Sequence, residues 1–193
     1  MAEQILALRE AGVPWRDMAV LYRAHYVSRS VEEAFLHAQI PYTIYSGVQF
    51  FGRMEIRDAI AYLRLLVYRD DLSFLRVANV PKRNLGKRRM AALRTYAAEH
   101  DCSLYQALQE NLEEDLFRNT RARQFIALVE DLSAQAEGRP VSEVLTAVLQ
   151  ESGYERMLRT EGSQERLDNL AELKQSVYEF ETTCGEEATL EHY

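Results

Sequence analysis

A short basic segment is the part of the sequence whose residue types and spacing suit a specific chemistry. Between Leu72 and Ala98 the chain carries seven basic residues and no acidic one: Arg76, Lys82, Arg83, Lys87, Arg88, Arg89 and Arg94. Five of them lie in residues 80–89, VPKRNLGKRR, which separate two segments with the apolar spacing of helices. The free N–H groups at the start of a helix attract phosphate, and nearby Lys and Arg side chains add Coulomb attraction. The segment therefore predicts a turn that binds phosphate groups.

Two residues of this turn suit a tight backbone. Asn84 and Gly86 both tolerate positive φ, which a turn pressed against a polynucleotide backbone requires. The candidate phosphate contacts are therefore Lys82, Arg83, Asn84, Gly86, Lys87 and Arg88. The same pattern also fits a solvated basic loop that pairs with acidic residues of the C-terminal half, and the residues alone leave both interpretations open.

A second cluster lies in residues 45–57, YSGVQFFGRMEIR. It combines a glycine that allows close backbone approach with side chains that can stack on bases or contact phosphate: Gly47, Phe50, Phe51, Arg53 and Arg57. Alternatively both phenylalanines are core residues, which is the interpretation we favour for Phe51. Arg23 and His25 follow the first predicted strand, where α/β sheets place ligand groups.

The motifs of the common enzyme classes are absent from the sequence. Its Gly86-Lys87 pair is followed by Arg88 and lacks the upstream glycine of a nucleotide-binding phosphate loop. No Gly-x-Ser-x-Gly, HExxH or EF-hand pattern occurs, and the four histidines are scattered. Cys102 and Cys184 fit no disulfide or zinc pattern, which favours a reducing cytoplasm. We therefore expect no catalytic residue, metal ion or bound cofactor in this chain.

Charge divides the chain into two unlike halves. The 193 residues carry a net charge of −7, which by itself argues against nucleic acid. Residues 1–98 nevertheless hold a net charge of +6, and residues 99–193 a net charge of −13. A polyanion would therefore meet the first half, and the second half would face solvent or protein partners. The apolar content of 47% suffices for a core, and no apolar run reaches the length of a membrane span.

Two kinds of element must position these residues. Apolar and β-branched runs predict strands at residues 18–23 and 42–46, with a helix at 28–38 between them. Such a parallel pair needs a larger sheet to be stable. From residue 54 onwards the apolar spacing is helical. The predicted fold class is mostly α, with a small partial α/β unit at residues 1–60 and an all-α helical subdomain at residues 61–193.

Six segments, in this order, resemble bacterial superfamily 1 DNA helicases of the UvrD/PcrA/Rep type. They are residues 19–29 (AVLYRAHYVSR), 40–42 (IPY), 47–64 (GVQFFGRMEIRDAIAYLR), 79–86 (NVPKRNLG), 152–154 (SGY) and 166–170 (RLDNL). The match covers nearly the whole chain, and its consistent order and spacing make it specific.

The resemblance implies that residues 1–60 belong to motor subdomain 2A and residues 61–193 to helical subdomain 2B, truncated at the C-terminus. The ATP-binding motifs of the family lie outside such a piece, so ATP and Mg²⁺ would act in the full-length parent, an ATP-dependent DNA helicase. Arg23 resembles the family arginine that contacts single-stranded DNA, whereas His25 stands where the family more often has Asn. The turn at 82–86 is similar to the Gly-Ile-Gly turn of a helix-hairpin-helix, with Asn84 replacing the first glycine.

The expected partners are single-stranded and duplex DNA, the missing motor subdomains, and repair or replication proteins. A rival interpretation is a protein-interaction or regulatory helical module without direct DNA binding, whose basic segment docks on an acidic surface. A nuclease-linked helicase with a similar motor is a third interpretation. Affinity that falls steeply with salt would distinguish phosphate binding from the rival module.

Overall fold

Helices dominate the structure, a computed structural model that describes residues 1–22, 27–44 and 50–184. The chain divides into two units, Met1–Ile56 and Arg57–Tyr193. The division falls within one helix, Met54–Tyr68, which also contains the boundary predicted after residue 60. The mostly α class predicted from the apolar spacing is confirmed.

The first unit contains two helices and two short 3₁₀ turns within its described residues. Helix α1 spans Ala2–Glu10 and helix α2 spans Ser28–His37, while the 3₁₀ turns cover Trp15–Asp17 and Phe50–Gly52. Three buried residues form a small core, and the partly buried side chains packed on it include aromatic and β-branched residues: Ile5, Phe35 and Ile40, with Trp15, Met18, Val20, Val31 and Tyr42. Burial of these side chains stabilises the unit.

Neither predicted strand appears in the part of the first unit that the structure describes. Residues 18–22 and 41–44 are irregular, and the remainder of both predicted strands lies outside the described residues. The helix predicted between them is confirmed as α2. The α/β unit therefore stays a prediction, since its two strands would also need further strands to make a stable sheet.

The second unit is a succession of helices joined by short turns. It contains most of α3 (Met54–Tyr68) and then, in chain order, α4 (Asp71–Val77), α5 (Lys87–His100), α6 (Leu104–Glu110), α7 (Asp115–Arg118), α8 (Ala122–Ala136), α9 (Val141–Glu151), α10 (Tyr154–Thr160) and α11 (Gln164–Cys184). Helix α9 packs against α8, α10 and α11, while α6 packs against α4, α5 and α8. Among the described helices, none is long and apolar enough to cross a membrane.

Helix α9 buries one face in this bundle. Its apolar residues recur at three- and four-residue intervals and are all at most 2% exposed: Val141, Val144, Leu145, Val148 and Leu149. This spacing puts them on one side of the helix. Burial of a leucine contributes a few kcal/mol, so α9 anchors the helices around it.

A group of three polar side chains joins α3, α4 and α10. The Tyr154 hydroxyl of α10 donates a hydrogen bond of 2.7 Å to Asp58 of α3. The Arg76 guanidinium of α4 lies 2.8 Å from the other oxygen of that carboxylate. Burial and the adjacent Asp58 carboxylate raise the pKa of Tyr154, which keeps its hydroxyl protonated as a donor.

Helix α4 exposes part of the apolar spacing that marked it in the sequence. The pattern Leu72, Leu75 and Val77 is typical of a core-facing helix. Instead Leu72 is 82% exposed, and the helix buries Phe74 and Val77. The Asp70 carboxylate accepts a hydrogen bond from the Ser73 N–H, which caps the helix. Phe74 then packs between the rings of Tyr105 and Phe125, and this contact sets the rotation of α4.

Replacing Leu145 by alanine should lower the free energy of unfolding by about 3 kcal/mol, because it leaves a cavity against the helices around α9. Urea denaturation of the 193-residue chain measures the change. Leu72→Ala removes the same atoms from a residue that is 82% exposed and should cost under about 0.5 kcal/mol. Equal losses in the two variants would contradict the packing described.

Candidate nucleic-acid interface

The basic turn, residues 78–86, connects the end of α4 to the start of α5. The side-chain oxygen of Asn79 accepts hydrogen bonds from the backbone N–H groups of Arg83, at 2.8 Å, and Leu85, at 3.1 Å. Leu85 is buried at 2% exposure, which holds the turn against the bundle. The turn is therefore a fixed structure whose shape Asn79 organises.

Arg83 faces the interior of the bundle. It is 6% exposed, and its guanidinium donates hydrogen bonds to the carbonyl oxygens of Val77 at 2.9 Å and Ala78 at 3.1 Å. It also donates to the Tyr62 hydroxyl at 2.8 Å and to the Ser152 carbonyl at 3.3 Å. These bonds occupy the charged group, so Arg83 holds the turn and is not placed to contact phosphate as the sequence suggested.

Aromatic rings complete the surroundings of Arg83. The guanidinium carbon lies 4.6 Å from the ring centre of Phe125, a cation–π distance. The Tyr62 hydroxyl accepts from Arg83 and donates a short hydrogen bond to the Val80 carbonyl. Burial raises the pKa of Tyr62, while the nearby Arg83 charge acts in the opposite direction. The phenol is therefore protonated at neutral pH and can make both bonds.

The other predicted phosphate contacts, in the turn and in the first residues of α5, face solvent. They are Lys82, Asn84, Gly86, Lys87 and Arg88, all of them exposed. Within the described residues, Lys82, Lys87 and Arg88 form no ion pair. The solvated-loop interpretation requires carboxylates of the acidic half to pair with these side chains. In the described structure no such ion pair is present.

Asn84 and Gly86 have different backbone roles. Asn84 has a φ of +62°, the left-handed conformation that Asn tolerates better than most residues. Gly86 has a φ of −75° and is the N-cap of α5, so the expectation of positive φ at this glycine was wrong. A side chain added at Gly86 would meet no atom within 4 Å. The glycine leaves the first N–H groups of α5 open to solvent, where no side chain caps them.

Arg89 of α5 links the turn to the carbonyl of Leu116. Its guanidinium donates a hydrogen bond of 3.1 Å to the Asn84 side-chain oxygen and one of 2.6 Å to the Leu116 carbonyl. The sequence placed Arg89 in the basic run without assigning it a contact. A side-chain acceptor such as Asn79 just beyond a helix is a recognisable turn signal, whereas nothing local in the sequence pointed to Tyr62 or Phe125.

Arg53, from the second predicted cluster, contacts other residues of the first unit. Its guanidinium lies 5.5 Å from the centre of the Phe50 ring and 3.5 Å from the Ser28 hydroxyl oxygen. Phe50 is fully buried, and its backbone N–H donates to the buried Glu32 carboxylate at 3.0 Å. No sequence pattern pointed to Glu32, which fixes the start of this segment. Phe51, the phenylalanine we favoured for the core, is only partly buried.

Of the remaining predicted contacts, the structure describes Arg57 alone. Arg57 is exposed on α3 and forms no ion pair within the described ranges. Arg23, His25 and Gly47 lie outside the described residues. The structure thus brings together the exposed residues of the basic turn, and it describes no shared site for the single-strand contacts. Among the residues described, no group of three acidic, His or Cys side chains is arranged to hold a metal ion.

Comparison with known protein families identifies the family of the chain. The UvrD-like helicase C-terminal domain matches residues 1–192, almost the whole chain. The chain therefore belongs to this family, as the resemblance predicted.

Named relatives carry the same assignment. The chain is 36% identical over 178 residues to the ATP-dependent DNA helicase PcrA of Staphylococcus epidermidis, covering 89% of this chain and 24% of that protein. It is 38% identical over 187 residues to DNA helicase II of Haemophilus influenzae, covering 93% of this chain and 26% of that protein. The chain spans about a quarter of the length of these relatives.

Arg83→Met should lower the free energy of unfolding by about 3 kcal/mol, because it leaves buried carbonyl groups and the Tyr62 hydroxyl without their donor. Thermal and urea denaturation measure the loss. Arg94→Met is the matched control, since Arg94 is an exposed α5 residue and its loss should change stability by under about 0.5 kcal/mol. Similar stability of the two variants would show that Arg83 does not hold the turn.

Proposed function

We propose that this chain grips the backbone of duplex DNA through the exposed face of its basic turn. The observation that supports this most is the fixed turn that presents Lys82, Lys87 and Arg88 without carboxylate partners in the described structure. The uncapped N-terminus of α5 adds backbone donors of the kind that phosphate oxygens accept. Such contacts are independent of sequence, because every phosphate is alike.

The turn is proposed to act as a helix-hairpin-helix in which Asn84 replaces the first glycine of the family pattern. The φ of +62° at Asn84 supports this, because the residue takes the left-handed conformation although it is not a glycine. Lys82 and Lys87 flank it on the exposed side. Arg83, although predicted as a contact, has no part in the proposed phosphate surface because it is buried.

The chain is proposed to be part of a larger ATP-dependent DNA helicase. The family match and the names of the relatives support this. Residues 1–60 would belong to motor subdomain 2A with its small α/β unit, and residues 61–193 to subdomain 2B. The sequence contains no phosphate loop, which supports the proposal that ATP and Mg²⁺ bind elsewhere in the parent.

Single-stranded DNA is the proposed ligand of the first unit and the start of α3. The residues concerned are Arg23, His25, Arg53 and Arg57. The support is strongest for Arg57, whose exposed side chain forms no ion pair within the described ranges. The proposed further partners are the motor subdomains and repair or replication proteins, in the cytoplasm.

The duplex contact is tested by replacing Lys82, Lys87 and Arg88 together with alanine. Binding of a labelled 20-base-pair duplex is measured by fluorescence anisotropy from 50 to 300 mM salt. Loss of three phosphate contacts should reduce the slope of log affinity against log salt by about 2.7. It should also weaken binding roughly hundredfold at the lowest salt.

The control replaces Arg64, Arg139 and Arg159, three exposed arginines outside the turn that each pair with a carboxylate, and produces the same change in net charge. It should leave the slope unchanged. If the two triple variants lose affinity equally, general charge attracts the DNA and the turn is not the contact. Binding of an acidic protein by the unchanged chain, with no DNA binding, would favour the interaction module instead.

A further inference from the structure

Arg121 is an unusual charge in the acidic half of the chain. Residues 99–193 contain eight basic residues, and six of them form ion pairs with carboxylates: Arg118, Arg123, Arg139, Arg159, Arg166 and Lys174. The other two, Arg121 and Arg156, are exposed and form no ion pair within the residues that the structure describes. Of these two, Arg121 has a backbone N–H that bonds to the basic turn, so its uncompensated charge lies beside the turn.

The backbone of Arg121 lies directly against the basic turn. Its N–H donates a hydrogen bond of 3.1 Å to the carbonyl of Arg83, the residue between the exposed Lys82 and Asn84. The Arg89 guanidinium adds a second link, 2.6 Å from the Leu116 carbonyl. The segment 116–121, which comprises the end of α7 and the residues after it and is here called the second loop, is thus joined to α5 at Leu116 and to the turn at Arg121.

The second loop is itself fixed. The Thr120 hydroxyl donates to the Phe117 carbonyl and accepts a hydrogen bond of 3.1 Å from the Ala122 N–H. Phe117 is 4% exposed and anchors the loop in the core. The backbone of Arg121 therefore has a defined position beside the turn.

The acidic residues that precede Arg121 are mostly compensated. Glu113 pairs with Arg123, and Asp115 lies 3.5 Å from Arg118. Glu114 forms no ion pair in the described structure, so it and Arg121 balance each other within this stretch. The adjoining turn adds the unpaired charges of Lys82, Lys87 and Arg88, which leaves the combined surface positive.

We propose that Arg121 is a phosphate contact and that the second loop forms one nucleic-acid surface with the basic turn. The contact belongs to the C-terminal half of the chain, which the charge count had assigned to solvent or protein partners. The inference rests on the proposed duplex binding and adds to it a residue outside the basic run.

The test compares Arg121→Ala with Arg139→Ala in the 193-residue chain, using the same labelled duplex and salt series. Both variants lose one exposed arginine. Arg139 lies beyond the far end of α8, a helix whose 15 residues span about 22 Å, which exceeds the screening distance of physiological salt. Circular dichroism melting checks that both variants are folded.

Arg121→Ala should weaken duplex binding about tenfold at 50 mM salt and reduce the salt slope by about 0.9. Arg139→Ala should change neither quantity. Equal binding by the two variants, while the unchanged chain binds with a steep salt slope, would overturn the role of Arg121 and leave the turn proposal standing. Absence of salt-dependent binding by the unchanged chain would overturn both proposals.

Discussion

The proposed nucleic-acid surface of this chain depends on one buried cation. Arg83 has lost nearly all contact with water, and the groups that replace water are carbonyl oxygens, a phenol oxygen and aromatic rings. An ionised group buried without such partners would be very costly. Hydrogen bonds from a charged donor are about twice as strong as neutral ones, which is why neutral oxygens suffice here.

This arrangement ties the turn to distant parts of the bundle. Tyr62 comes from α3, Phe125 from α8, and Ser152 from the junction of α9 and α10, while Arg83 itself follows α4. The turn therefore takes its shape from elements separated by up to 69 residues in the sequence. Removing the arginine would disturb the contacts among these helices as well as the loop.

The helices and the position of the turn could be predicted from the sequence, because both depend on local signals. Apolar spacing located α2, α3 and α5, and Gly86 marked the start of the last of these. Local signals did not show which basic residue of the turn points inward. Lys82 and Arg83 are adjacent and equally basic, and only the packing of α3 and α8 places the second one in the interior. The same applies to α4, whose rotation is set by the rings around Phe74.

The two-fold role of the Tyr62 hydroxyl has a consequence for how the exposed residues can change. Because it accepts from Arg83 and donates to the Val80 carbonyl, the backbone conformation is maintained from the inside of the molecule. The exposed Lys82, Lys87 and Arg88 form no ion pair with the described residues and are not needed to hold that conformation. Their number and sign can be altered over evolutionary time, or by design, to adjust grip strength while the underlying scaffold stays the same.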